Sequence, residues 1–136
     1  MEIQFPVEFV VHGTPISLAA SSRSKQRWKA TVKEASYTAL PEQHIWYEGP
    51  VCVTIYYFPT EPMPGDIDNI IKMTLDALSN HILKDDRQIE RIVAQKFNPN
   101  GGFAFTDASE VLEGAIISDE PVVYIRLSSD PYEDLR

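Results

Sequence analysis

The sequence predicts an α+β domain: a two-layer fold with a mixed sheet of about four strands and two principal helices, in βαβαββ order. Three observations carry that expectation. The run Val51–Phe58 (VCVTIYYF) is almost wholly β-branched or aromatic and is bracketed by Pro50 and Pro59. From Asp66 onward the apolar residues recur at the period of a helix. Strand-like and helix-like segments alternate along the chain, the order expected where helices pack on a sheet. A length of 136 residues with 43% hydrophobic and 24% charged residues suits one domain of ordinary globular composition.

Each element has its own warrant. Residues 3–12 are rich in Phe and Val and end at Gly13-Thr-Pro15, which reads as a strand. Ser21 and Ser22 offer N-caps for a helix over residues 24–39, closed by Pro41. In it Trp28, Val32 and Ala35 recur at helical spacing, while Lys25, Lys29 and Lys33 form a separate stripe. Val51–Phe58 reads as a strand buried on both faces. A proline-stiffened connector, residues 61–65, leads into a helix from Asp66 to about Asn80. On that helix Ile67, Ile70, Ile71, Thr74, Leu75 and Leu78 cluster on one face, and Asp68, Asn69, Lys72 and Asp76 on the other. After the acidic turn Lys84-Asp-Asp86, residues 89–97 form a further strand. Residues 107–114 suit a short helix capped by Asp107 or Ser109, and Pro121 opens a last strand, VVYIRL. Residues 98–120 read as an insertion, and the acidic tail 130–136 is expected to fray.

Composition excludes several classes of function. The longest uncharged apolar stretch lies within Val51–Phe58, far short of the ~20 residues of a membrane span. Glu2 stands where a signal peptide carries positive charge. Cys52 is the single cysteine, so no intramolecular disulfide forms and a cytoplasmic location is expected. The net charge of −8 argues at first against a nucleic-acid partner. Its distribution does not: residues 107–136 hold eight acids and two bases, whereas residues 1–65 and 66–106 each hold six acids and five bases. Arg23, Lys25, Arg27, Lys29 and Lys33 fall within eleven residues that contain no acid.

Asp66, Asp68 and Asp86 are the candidate chemistry. Asp66 and Asp68 are two residues apart at the start of a helix and, in extended backbone, point the same way. If the chain brings Asp86 back to them, three hard oxygen ligands suit Mg²⁺, which activates water and stabilises phosphoryl charge. The alternative is that the first two cap the helix and complement its dipole, and that Asp85-Asp86 is a polar turn. Lys72 admits two readings as well: an i,i+4 pair with Asp76 on a solvated face, or a cation that stabilises a phosphoryl-transfer transition state. His12, His44 and His81 have no metal-ligand spacing, and Cys52 reads as a small core residue. Trp28 either anchors its helix or stacks on a base. The basic run 23–33 is a solvated face or a row of phosphate contacts.

The stretch Gly65-Asp-Ile-Asp-Asn-Ile-Ile-Lys-Met-Thr-Leu-Asp-Ala-Leu78, followed by Lys84-Asp-Asp-Arg-Gln-Ile89, resembles the RusA family of Holliday junction resolvases. Its pattern D-x-D-N, a Lys three residues on, D-A-L, then D-D-x-Q and an aliphatic residue is matched at every position. The likeness extends over about residues 5–97. It implies that Asp66, Asp68 and Asp86 are catalytic metal ligands, that Lys72 is the catalytic lysine, and that Asn69 and Asp76 support them. It further implies a homodimer that uses Mg²⁺, with Mn²⁺ able to substitute, to resolve four-way DNA junctions by paired symmetric nicks in recombination and repair. The basic residues 23–33, with Arg87 and Arg91, are then expected to position phosphates. The acidic balance favours an alternative: a RusA-like binding module with weak or no nuclease activity that engages a protein partner or another nucleic-acid structure.

Overall fold

The computed structural model describes residues 1–15, 20–61 and 67–136. Asp66 and most of the proline-stiffened connector lie outside these residues. Four strands, β1 (Val7–His12), β2 (Val51–Phe58), β3 (Ile89–Lys96) and β4 (Val122–Ser128), form one mixed sheet in the order β1-β4-β2-β3. β4 runs antiparallel to both β1 and β2, and β3 runs parallel to β2. Helices α1 (Ser22–Ser36), α2 (Asp68–Leu78) and α3 (Glu110–Ile116) complete the α+β fold that the sequence predicts.

Local chemistry accounts for most boundaries. β1 begins only after Pro6, which has no N–H to give to a ladder. Gly13 ends it with φ +132°, a backbone region that side chains rarely adopt. Ser21 caps α1, its hydroxyl accepting from the Ser24 amide at 3.2 Å. Ser109, rather than Asp107, caps α3 by accepting from the Leu112 amide at 3.1 Å. α2 stops where Ser79 turns extended and Asn80 takes φ 57°, a conformation Asn tolerates.

Strand alternation separates two cores. Odd-numbered residues of β1, β2 and β4, among them Phe9, Ile55 and Ile125, pack beneath α1 and α2. Even-numbered Tyr56, Phe58, Val122 and Tyr124 join Phe97, Phe105 and Leu112 on the other face. α3 and the 97–105 segment thus add a partial third layer to the two layers expected. The stripe that α2 buries is rotated from the sequence reading. Met73 and Ala77 are buried with Ile70, Thr74 and Leu78, while Ile71 and Leu75 are half-exposed. The cause is α1: Trp28 is buried and its indole N–H donates to Thr74 Oγ1 at 3.3 Å, drawing that side of α2 inward.

The C-terminal segment does not fray. Arg126 pairs with Glu133 at 2.5 Å, Glu133 also accepts from the Ser128 hydroxyl at 2.9 Å, and Arg91 pairs with Asp134 at 3.1 Å. Arg136 closes the turn onto Asp130.

Candidate active site

The exposed face of α2 presents Asp68, Lys72 and Asp76 at successive intervals of four residues, one above the next. The N-cap position is Ile67, which offers no side-chain acceptor, so the Asp68 carboxylate does not cap the helix. Asp68 is exposed, with no hydrogen-bond partner among the described residues. Half-buried Asn69 follows it. One turn on, the Lys72 ammonium donates to Asp76 Oδ1 at 2.9 Å. The hydrogen bond and charge of Asp76 hold the lysine above its ordinary basicity, and the carboxylate of Asp86 adds to this. Asp86 therefore lies within electrostatic range of Lys72, although it follows the helix's C-terminal end in sequence.

This placement depends on a clamp. β3 starts beside the start of β2, with Ile89 opposite Val51, so the chain must reverse immediately after α2. It does so in a turn fastened to the segment that precedes β2. The Tyr47 amide donates to the Ile82 carbonyl at 2.8 Å, and Lys84 pairs with Glu48 at 3.2 Å. Asp86 opens a single 3₁₀ turn, Asp86–Gln88, capped by Asp85, whose carboxylate accepts from the Arg87 amide at 3.1 Å. That hydrogen bond holds the Asp85 carboxyl below its ordinary pKa. Gln88 locks the turn: its Oε1 accepts from the Asp85 amide at 2.9 Å, and its Nε2 donates to the carbonyls of Tyr47 at 2.7 Å and Gly49 at 2.9 Å. A Cβ at Gly49 would collide with the Tyr47 phenol, so a larger residue there requires that ring to shift. Asp85 and Gln88 thus shape the turn, and Asp86 is left exposed.

Behind the turn, His81 is buried against Ser36 of α1, with its Nε2 2.7 Å from the Ser36 hydroxyl. His44 Nε2 donates to the His81 carbonyl at 3.0 Å. Burial first, then the nearby His44 and Lys33, push the His81 imidazole down to a pKa of about 4. None of the three histidines joins a metal-ligating group among the described residues.

Of the residues singled out in the sequence, Lys72 and Asp76 are in contact, and Asp86 lies within electrostatic range of Lys72. Asp68 lies on the same face of α2, one turn before Lys72. Among the described residues no three His, Cys, Asp or Glu side chains gather closely enough to hold a metal ion, and Asp66 lies outside those residues. The basic segment divides along α1. Lys25, Lys29 and Lys33 run down one flank of the buried stripe and Arg23 and Arg27 down the other, at 100° per residue. Lys33 acts electrostatically on His81, so the lysine flank ends beside the turn that sets Asp86. Arg27 edges a shallow depression of about 220 Å³ with His12, Thr14 and Trp28. Arg87 is exposed and pairs with Asp85 at 3.3 Å, whereas Arg91 is engaged by Asp134. Trp28 is an anchor rather than a stacking platform. Spacing and periodicity assign no role to Gln88, Tyr47 or Gly49, and the Gln of the D-D-x-Q pattern is the one signal that points to the clamp.

The family model for endodeoxyribonuclease RusA matches residues 9–104, more than half of the chain. No curated protein matches the sequence.

Proposed function

Because the chain belongs to the RusA family of endodeoxyribonucleases, we propose that it is a Mg²⁺-dependent resolvase of four-way DNA junctions acting through the exposed face of α2. The observation that supports this reading most is the placement of Lys72, held by Asp76 at 2.9 Å and within the field of Asp86, which a clamped turn returns from beyond the helix. A solvated i,i+4 pair accounts for the hydrogen bond but not for the nearness of the Asp86 charge.

The donor set fits a hard divalent cation in kind: Asp68 and Asp86 are exposed carboxylates, and Asp66 precedes them in the motif. Asp66, Asp68 and Asp86 would hold the ion. Bound Mg²⁺ or Mn²⁺ would supply an activated water and neutralise phosphoryl charge. The protein's own part follows from Lys72. Its ammonium stays protonated well above neutral pH, directed by Asp76 toward the place where charge grows on a scissile phosphate or departing oxygen. The Lys25, Lys29 and Lys33 flank and Arg87 would hold backbone phosphates. Symmetric resolution needs two active sites related by a two-fold axis, so a homodimer is the working assembly in recombination and repair.

The test is incubation of a labelled four-way junction with Mg²⁺ or Mn²⁺, beside the Asp68→Asn and Lys72→Met proteins. The parent should nick two opposed strands symmetrically. Asp68→Asn should be inactive, and Lys72→Met slower by roughly 10²–10³. A parent that binds the junction but leaves it intact in both metals would replace this reading with that of a binding module.

A further inference from the structure

On the sheet face opposite α1 and α2, a cavity of about 590 Å³ opens between the strands, the segment entering α3 and the C-terminal turn. Most of its walls lie outside the family-matched residues 9–104: Glu8 before them, and Phe105, Asp107, Tyr124, Arg126 and Glu133 after. Its chemistry does not suit DNA. Glu8, Asp107, Glu133 and Asp134 line it against a single cation, Arg126. Arg126 is bonded to Glu133 at 2.5 Å, and Asp134 is engaged from outside by Arg91 at 3.1 Å.

Glu8 is the exception among these acids. Its Oε2 accepts from the Ser109 hydroxyl at 2.6 Å and from the Tyr124 phenol at 2.5 Å. Burial and this carboxylate both keep the Tyr124 phenol protonated, so it remains a donor. Oε1 takes no hydrogen bond among the described residues, and no fully buried side-chain oxygen there lacks one. The second oxygen therefore meets the water of the cavity, fixed in place by two hydroxyls, with Arg126 offering only long-range compensation. Aromatic rings line the same cavity: Tyr56 and Phe105 are half-buried and 5.8 Å apart between centroids, beside the buried ring of Tyr124. A preorganised carboxylate oxygen beside clustered aromatic rings recognises a diffuse, easily desolvated cation through charge, hydrogen bonding and cation–π attraction. A hard metal ion would need more oxygens than converge here.

We propose that this cavity binds one organic cation of the alkylguanidinium or alkylammonium class. Its source is either a basic side chain of a protein partner or a free polyamine. The site is independent of the nuclease reading and faces away from α2.

The experiment titrates the full chain with ethylguanidinium, n-butylammonium and spermidine at constant ionic strength, read by amide chemical shifts and thermal melting. Saturable binding is expected, in the millimolar range for the two small ions because so few atoms make contact. Shifts should centre on Glu8, Ser109 and Tyr124. Glu8→Gln, whose amide oxygen can still accept from both hydroxyls, should weaken binding at least tenfold. Phe105→Leu, at the rim, should weaken it several-fold and guards against a folding defect in the first variant. Exposed Glu34→Gln on α1 should leave binding unchanged. Spermidine binding far more tightly than the single-headed ions would assign a polyamine, and ethylguanidinium matching spermidine would assign a side chain. Shifts that never saturate, or that survive Glu8→Gln and Phe105→Leu alike, overturn the proposal.

Discussion

His81 makes the stability of this protein depend on pH, and the size of the effect follows from its surroundings. The imidazole is 6% exposed, and it is held neutral, with its pKa pushed from 6.5 to about 4. The Ser36 hydroxyl already donates to the Lys33 carbonyl at 2.6 Å, so the neutral ring offers its Nε2 proton to Ser36 Oγ. A second proton would place a charge beside Lys33 and His44 in a site without a compensating acid. Because the folded value lies below the unfolded one, the unfolded chain takes up the proton first as pH falls. The stabilisation is complete above about pH 6.5 and is lost progressively down to about pH 4. A fall from 6.5 to about 4, at ~1.4 kcal/mol per pH unit, amounts to about 3 kcal/mol. For a domain of this size that lowers the melting temperature by roughly 10 °C. The assay is a series of thermal melts between pH 7.5 and 4 on the parent and on His81→Gln, whose amide can still donate to Ser36 but does not titrate. Glu133 and Asp130, held below their ordinary range by Arg126 and Arg136, titrate in both proteins and cancel from the comparison. The parent should fall the steeper of the two by roughly 10 °C over this window. Parallel curves would refute the assignment of a buried neutral imidazole. Since the 79–85 turn also sets Asp86, nuclease activity should decline over the same acid window in the parent at temperatures close to melting.

Gln88→Ala removes three hydrogen bonds, leaves the Gly49 carbonyl without its partner and leaves the Tyr47 carbonyl only the Lys84 amide at 3.3 Å, so a loss of about 1–3 kcal/mol is expected by chemical denaturation. Junction cleavage should fall further than stability alone explains, and full activity in a folded Gln88→Ala protein would show that the clamp does not position Asp86. Millimolar Mn²⁺ should raise the melting temperature of the parent by mass action and not that of Asp68→Asn. Identical melts in EDTA and Mn²⁺ would argue against a metal site. Replacing Lys25, Lys29 and Lys33 together by Ala should weaken junction binding for every sequence and flatten its salt slope by about 0.9 for each phosphate no longer neutralised. Unchanged binding at all salt concentrations would mark that flank of α1 as merely solvated.

What can be read from the sequence is what is local. Val51–Phe58 announces itself because every residue fits a doubly covered strand, and the polar row of α2 follows from spacing alone. Closure of the site is another matter. The partners of Gln88 lie 39 and 41 residues earlier in the chain, and nothing in their side chains advertises the contact, because Tyr47 and Gly49 contribute carbonyls. Periodicity likewise gives α2 an apolar face without saying which neighbour will claim it. With α1 packed against it through Trp28 and Thr74, α2 turns Met73 and Ala77 inward and leaves Ile71 and Leu75 half-exposed. The tail departs from expectation for a related reason: acidity suggests solvation, but Arg91 and Arg126 lie close enough in space to bind it.

That last point bears on whether an acidic chain can act on DNA. A net charge of −8 governs the long-range field, which ordinary salt screens beyond ~10 Å, whereas a duplex at contact meets one face. Glu133 and Asp134 are matched to arginines, and they stand with Glu8 and Asp107 around the cavity on the α3 side of the sheet. Lys25, Lys29, Lys33 and Lys72 belong to the two helices on the other side. The sheet thus separates an acidic face from one bearing the lysines, and Asp68 and Asn69 belong to the lysine side. A phosphate backbone approaching α1 and α2 meets those lysines together with Asp68 and Asp76, while the acids around the cavity stand behind the core. Overall charge then limits how strongly the protein holds DNA at low salt without forbidding the approach. The salt slope measured with the three α1 lysines in place and removed is the quantity that separates the two effects.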